Sequence, residues 1–344
     1  MDKRLILAVA GSGKTTYLVN QIDLTRRFLI VTYTNNNVNN IRNAIIRKLG
    51  YFPHNIKLKS YFQFLISFCF NPFVKDKCKA NGIYYKQPPE STNYLKRDNI
   101  AFYKTRSGFL YHNRIAKLCQ EAQLTQLISE RLDKYFDCFF FDEIQDLAGH
   151  DFDLISKIVP KNAQTIFVGD FYQHTFDTSR DGNQNNSLHN DINEYCKKWQ
   201  KVGMQIDAST LSNSWRCTQT TCDYVRNNLG IEIHSQKSDD STILFIDKQE
   251  NVDTLIHQHN VPMLFLQEHS KYSCFSMNWG ESKGLDDFID IGIVLNKKTL
   301  AFYQENKLSQ LAPSTKNKLY VALTRAKRNI YLIPYVFLEN YKSK

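Results

Sequence analysis

Three short runs of this 344-residue chain carry residues whose types and spacing suit phosphate chemistry. The first is Ala8-Val-Ala-Gly-Ser-Gly-Lys14-Thr15, which fits the phosphate-loop pattern with Ala8 in the first glycine position. Ala10, Gly11, Ser12 and Gly13 can turn backbone N–H groups toward phosphate oxygens. Lys14 can reach the β- and γ-phosphates, and the Thr15 hydroxyl can ligate Mg²⁺, with Thr16 beside it in the same turn. The second run is Asp142-Glu-Ile-Gln-Asp146, directly after the apolar Phe139-Phe-Phe141. A carboxylate at that place can hold Mg²⁺, and a second beside it can polarise an attacking water. Asp142 is therefore the expected metal ligand and Glu143 the expected general base. The third run, Gly169-Asp-Phe-Tyr-Gln173, puts the Gln173 amide after another apolar stretch, where it could sense a γ-phosphate.

Such groups act together only if the elements that carry them converge. Residues 4–10 are apolar and run into the glycine loop; helical spacing follows over 15–22. Residues 28–32 read as a buried strand, and 38–49 as a helix with Ile41, Ala44, Ile45 and Leu49 on one face. Strand, glycine loop, helix, strand is a βαβ start and implies a parallel sheet. Residues 138–141 and 165–168 read as further strands ending in acidic residues, which suits ligand binding at the carboxyl ends of parallel strands. Residues 61–135 are basic and aromatic-rich and read as an insert. Beyond residue 204 a second α/β pattern begins, with strands expected at 242–246, 261–266, 289–295 and 330–333.

The composition, 42% hydrophobic and 23% charged, excludes a collagen-like or mostly disordered chain. No apolar run approaches the roughly 20 residues of a membrane span, and the expected setting is cytoplasmic. Eight cysteines are scattered without a CxxC pair, as expected for reduced thiols. Net charge is +10, unevenly spread: residues 1–141 hold 22 Lys+Arg against 9 Asp+Glu, and residues 142–344 hold 22 against 25. A basic half is the usual footprint of a nucleic-acid binder.

Taken in order, these runs resemble the motifs of superfamily 1 helicases of the Rep/UvrD/PcrA type. After the phosphate loop, Thr32-Tyr-Thr-Asn35 resembles the TxTN element, Asp142-Glu-Ile-Gln-Asp146 resembles DExQD, and Gly169-Asp-Phe-Tyr-Gln173 resembles GDxxQ. Leu211-Ser-Asn-Ser-Trp-Arg216 resembles LxxNYR, Ser282-Lys-Gly-Leu-Asp286 resembles SKGLE, and Tyr320-Val-Ala-Leu-Thr-Arg325-Ala resembles YVALTRA. The resemblance implies an α/β fold of two RecA-like P-loop NTPase domains with parallel sheets, clamping ATP between them. It implies a first domain over 1–60 and 136–203, a small, mostly helical insert over 61–135 reduced from the accessory domain 1B, and a second domain over 204–344. It implies Arg216 and Arg325 as arginine fingers and Gln145 as a link between nucleotide state and nucleic-acid contact. Gly284 and Asp286 would lie near the nucleotide sugar. Thr32, Tyr33, Asn35, Tyr61 and Phe176 would contact single-stranded DNA.

The sequence also departs from that pattern. The 13 residues before Lys14 are expected to be too few for the upstream glutamine element that reads adenine. Phe62 stands where the family has the histidine of Thr-Phe-His, and Thr178 stands where it has a second base-stacking aromatic. Residues 217–282 are too few for the family's large second accessory domain, which is expected to be absent or reduced to a stub. The expected function is a nucleic-acid-stimulated ATPase translocating on single-stranded DNA, 3′ to 5′ by the resemblance, with RNA as the less favoured strand. The alternative is an ATP-driven, DNA-sensing subunit that controls a partner nuclease or other protein, as in antiphage systems.

Overall fold

The computed structural model describes residues 2–175, 181–257, 260–285 and 287–343. They divide into two compact units. One comprises Met1–Ile6, Lys14–Gly169 and Phe176–Asp207; the other comprises Leu7–Gly13, Asp170–Thr175 and Ala208–Lys344.

The first unit carries, in chain order, strands β1 (Lys3–Leu7), β2 (Phe28–Thr32), β3 (Ile56–Ser60), β4 (Gly82–Tyr84), β5 (Phe109–Tyr111), β6 (Cys138–Asp142), β7 (Gln164–Gly169) and β8 (Gln205–Asp207). Every residue of β2 and β6 is buried, as continuous apolar strands must be when both faces of a parallel sheet are covered. The six-stranded sheet runs β3-β2-β6-β7-β1-β8. The pairs β2–β3, β2–β6, β6–β7 and β1–β8 are parallel. Neighbours pointing the same way bring Ser60, Thr32, Asp142 and Gly169 to one edge, where ligands of open α/β sheets bind. Aromatic side chains fill the layer behind: Phe139 and Phe141 pack edge-on to Phe167, which packs on Trp199 at 5.4 Å between ring centres.

Helix ends are set by local chemistry. Thr34 caps the helix Asn35–Leu49 by accepting from Asn37 N–H at 3.1 Å, and Gly50 closes it with φ 81°. Ser60 and Gln63 form a reciprocal capping box at the start of the helix Tyr61–Phe64. That helix passes into a π-helical segment, Leu65–Phe70, and then the helix Asn71–Cys78.

Residues 61–135 are largely helical and also hold the small parallel pair β4–β5. Phe64 and Phe68 stack at 5.5 Å and are buried, so both are core residues. The insert is pinned by Arg114, 1% exposed. Its guanidinium donates to Asp181 Oδ1 at 2.9 Å, Thr92 Oγ1 at 2.8 Å, the Phe102 carbonyl at 2.6 Å and Asn93 Oδ1 at 2.5 Å. A buried guanidinium is tolerable when its donors are met and its charge is paired. This network ties down the loop around residues 87–93.

In the second unit β9 (Asn213–Ser214) pairs in parallel with β10 (His234–Ser235). A five-stranded sheet holds β11 (Ile243–Phe245), β12 (Met263–Phe265), β13 (Ser276–Asn278), β14 (Ile291–Leu295) and β15 (Ile330–Pro334) in the order β11-β15-β14-β12-β13. Every neighbouring pair of it is parallel. Alternate residues feed two cores: Leu264, Ile293 and Leu332 join one cluster, and Met263, Val294 and Ile333 the other. That alternation is the period-2 geometry of a strand buried on both faces. The chain is thus α/β with parallel sheets in both units.

Candidate active site

Lys14 opens the helix Lys14–Asn20, and Asp142 closes β6. Their neighbours meet: Thr15 Oγ1 donates to Asp142 Oδ2 at 3.3 Å, and Lys14 Nζ lies 3.8 Å from Glu143 Oε1. Asp142 is 2% exposed. Burial first, and the Glu143 charge second, raise its carboxyl to about 7, against the opposing pull of Lys14 and the Thr15 hydroxyl. A buried acid beside a second acid is short of positive charge, which a divalent cation would supply.

Glu143 has φ 59° and ψ 43°, left-handed backbone for a non-glycine residue. Its side chain accepts from Gln145 Nε2 at 2.5 Å, and its N–H donates to Asp142 Oδ1 at 3.1 Å. Unusual backbone held by surrounding contacts is a feature of functional positions. Gln145 is in turn packed against Gly169, where a Cβ would lie 2.3 Å from Gln145 Oε1 and 2.9 Å from Ile144 Cγ2. Only glycine fits there. Among the described residues no group of three or more His, Cys, Asp or Glu side chains could hold a metal ion. Thr15 and Asp142 are the available pair, a donor set suited to Mg²⁺ that keeps waters and phosphate oxygens as its other ligands.

In the second unit the loop segment Leu7–Gly13 is held by its own contacts. Ala10 N–H donates to the Tyr320 hydroxyl at 3.0 Å, and that hydroxyl donates to Asp170 Oδ2 at 2.9 Å. Trp215 N–H donates to the Gly11 carbonyl at 2.9 Å. Gly11 has φ 69°, and a Cβ there would stand 2.5 Å from Arg216 Cβ and 2.9 Å from Ser214 Oγ. Ser12 Oγ is buried with no hydrogen-bond partner among the described residues, a deficit that a phosphate oxygen would meet. Gln173 is buried, Arg216 is half-buried and Gly284 is exposed with φ 84°. Arg325 is 1% exposed, with Nε donating to the Val321 carbonyl at 3.1 Å.

The sequence-predicted residues therefore fall into two sets. Lys14, Thr15, Asp142, Glu143 and Gln145 meet in the first unit; Ala10–Gly13, Gln173, Arg216 and Arg325 belong to the second. Thr16 is exposed on the first helix. Phe176 and Asp286 lie outside the described residues, as does Thr178. Of the expected nucleic-acid contacts, Tyr33 is half-buried and Asn35 exposed. Thr32 is fully buried, its Oγ1 without a hydrogen-bond partner among the described residues. Tyr61 needs correction as a base contact: it is 0% exposed and donates its hydroxyl to Asp151 Oδ1 at 2.7 Å, so no ring face is open to a base. Its packing on Phe141 makes it a core residue.

Sequence reasoning did not single out Tyr320 or Trp215, and it noted Phe62 only as a departure from the family pattern. Tyr320 bridges Ala10 and Asp170; its place within the YVALTRA-like run was the available signal. Trp215 is 65% exposed although its backbone grips Gly11. Phe62, half-buried, lines an open groove of about 840 Å³ with Tyr33, Asn35, Lys59 and Tyr85.

No protein-family model matches the chain, and no curated protein matches it. Solved structures do. One is a complex of the Arterivirus nonstructural protein 10 helicase with DNA, at TM-score 0.50 and 11% identity, covering 98% of this chain and 63% of that one. Others are the Arterivirus nonstructural protein 10 helicase alone (TM-score 0.47, 13% identity, 98% and 62%) and the PRRSV helicase (0.48, 16%, 96% and 52%). The chain thus spans between half and two thirds of the length of these neighbours. The likeness to the helicase–DNA complex, at TM-score 0.50, shows a helicase-type fold. No helix among the described residues is long and apolar enough to cross a membrane.

Proposed function

We propose that this chain is a nucleic-acid-stimulated ATPase that moves along single-stranded DNA, in the manner of the UvrD-like branch of superfamily 1 and with 3′ to 5′ polarity. The observation that carries the reading is the meeting of Lys14, Thr15, Asp142 and Glu143 at the carboxyl end of β6. The helicase-type fold and the ordered motifs support it.

In this reading Ala10–Gly13 offer backbone N–H groups to phosphate oxygens, and Lys14 leaves Glu143 to pair with the β- and γ-phosphates. Bound MgATP supplies the transferable phosphoryl group, and Mg²⁺ neutralises charge on its oxygens. Thr15 and Asp142 hold the cation. Glu143, freed from Lys14 and steadied by Gln145, orients and deprotonates the attacking water. Gln173 senses the γ-phosphate, and we assign Arg216 and Arg325 to stabilising charge on the transferred group. Trp215 offers an open indole face on which a nucleobase can stack. Tyr33 and Asn35 take single-stranded nucleic acid.

The test is steady-state ATP hydrolysis with and without oligonucleotides. Turnover that requires Lys14 and rises with single strands supports the reading. Absence of Lys14-dependent turnover under all conditions refutes it.

A further inference from the structure

Four aromatic rings run from the sheet edge into the insert. Tyr33 and Phe62 lie 6.5 Å apart between ring centres, Phe62 and His112 5.9 Å, and His112 and Tyr85 5.9 Å. The first two contacts are tilted by 52° and 53°, so these rings do not cover one another's faces. The last is close to parallel, at 30°. A core cluster would be buried, yet Tyr85 is 68% exposed. With one face on His112, that exposure leaves the other face open.

Tyr85, Phe62 and Tyr33 all line the 840 Å³ groove. Its charge fits a polyanion. Lys59 lines it, and Lys57, two residues earlier on edge strand β3, projects from the same face of that strand. Exposed Lys86 follows Tyr85. His112 is oriented from behind: its Nδ1 lies 3.2 Å from the Tyr84 carbonyl. A braced exposed ring beside lysines is the arrangement that grips unpaired bases while cations meet the phosphates.

We infer that Tyr85, braced by His112, is a base-stacking residue of this groove, and that the insert thereby extends the single-strand path beyond Tyr33 and Asn35. Single-stranded nucleic acid is the occupant, because a duplex hides the base faces that Tyr85 would contact. The inference rests on the nucleic-acid reading above, and its test separates the two.

Binding of fluorescein-labelled oligo-dT and oligo-U is measured by anisotropy for the wild type, Tyr85→Ala, Tyr85→Phe and Lys59→Ala. Stacking worth about 1–3 kcal/mol per base predicts a loss of about 5- to 150-fold for Tyr85→Ala. Tyr85→Phe keeps the ring and stays within about twofold. Tyr85→Ala leaves the salt slope of log K unchanged, whereas Lys59→Ala reduces it by about one. ATP hydrolysis without nucleic acid is the same in Tyr85→Ala as in the wild type. Wild-type binding that Tyr85→Ala leaves intact overturns the assignment of Tyr85 alone. A wild type that binds neither oligonucleotide overturns the nucleic-acid reading together with it.

Discussion

Lys14 Nζ lies 3.8 Å from Glu143 Oε1, so the lysine expected to meet phosphate and the carboxylate expected to act as base hold each other. Both side chains are mostly buried, at 11% and 15% exposure. Each therefore needs a charged partner, and a bound phosphate can replace Glu143 as the partner of Lys14. In the proposed reading, nucleotide arrival and release of the base would be one event.

Removing either member separates binding from chemistry. Lys14→Ala should abolish ATP hydrolysis and weaken nucleotide binding, read by turnover and by titration with a fluorescent nucleotide. Glu143→Gln should lower kcat by about 10²–10⁴-fold, the usual worth of a general base, while nucleotide binding persists. Near-normal turnover in Glu143→Gln would remove that residue from the role of base.

Gly169 acts at a distance of one residue from the chemistry. Its missing Cβ makes room for Gln145, and Gln145 holds Glu143. Gly169→Ala should displace this pair and cut kcat by about 10- to 100-fold, as small misplacements of catalytic groups do. The loss should fall on kcat more than on KM, since no phosphate contact is touched. An unchanged kcat would show that Gln145 does not position the base.

Tyr320 joins the phosphate-loop backbone to Asp170 through one hydroxyl. Tyr320→Phe leaves the Ala10 N–H without its acceptor and Asp170 without this donor, in a fully buried place. The expected cost is about 1–3 kcal/mol in denaturant unfolding followed by tryptophan fluorescence. Unaltered stability would mean that both groups find other partners.

His150 gives stability a pH dependence. Burial, with Lys117 second, lowers its imidazole to about 4; Arg97 acts in the same direction, and Asp181 and Asp153 oppose. The folded state then binds fewer protons than the unfolded one between the ordinary value near 6.5 and about 4. This contribution is complete above 6.5 and is lost as pH falls through that window. Urea midpoints should decline from pH 7.5 to pH 5, and less steeply in His150→Gln. Parallel declines would show that other groups dominate.

Much of this was legible in the chain. β2 and β6 are uninterrupted apolar runs, and their burial on both faces made them readable as parallel strands. Asp142 and Glu143 at the end of β6 announced themselves because acids closing a buried apolar run add nothing to its packing. Ser276–Asn278 and Asn213–Ser214 were not readable, since strands of two or three residues carry no periodicity. Tyr61 was misread because an aromatic beside a motif looks the same whether it stacks on a base or on Phe141. The Tyr85–His112 contact joins residues 27 positions apart through the fold of the insert, and no local spacing encodes it.

The most direct measurement is steady-state ATP hydrolysis by the purified protein alone and with single-stranded DNA, duplex DNA or RNA, with Lys14→Ala as control. Turnover raised most by single-stranded DNA and lost in the control is the predicted result. Turnover that ignores every nucleic acid, or that survives Lys14→Ala, would contradict a nucleic-acid-driven ATPase built on this site.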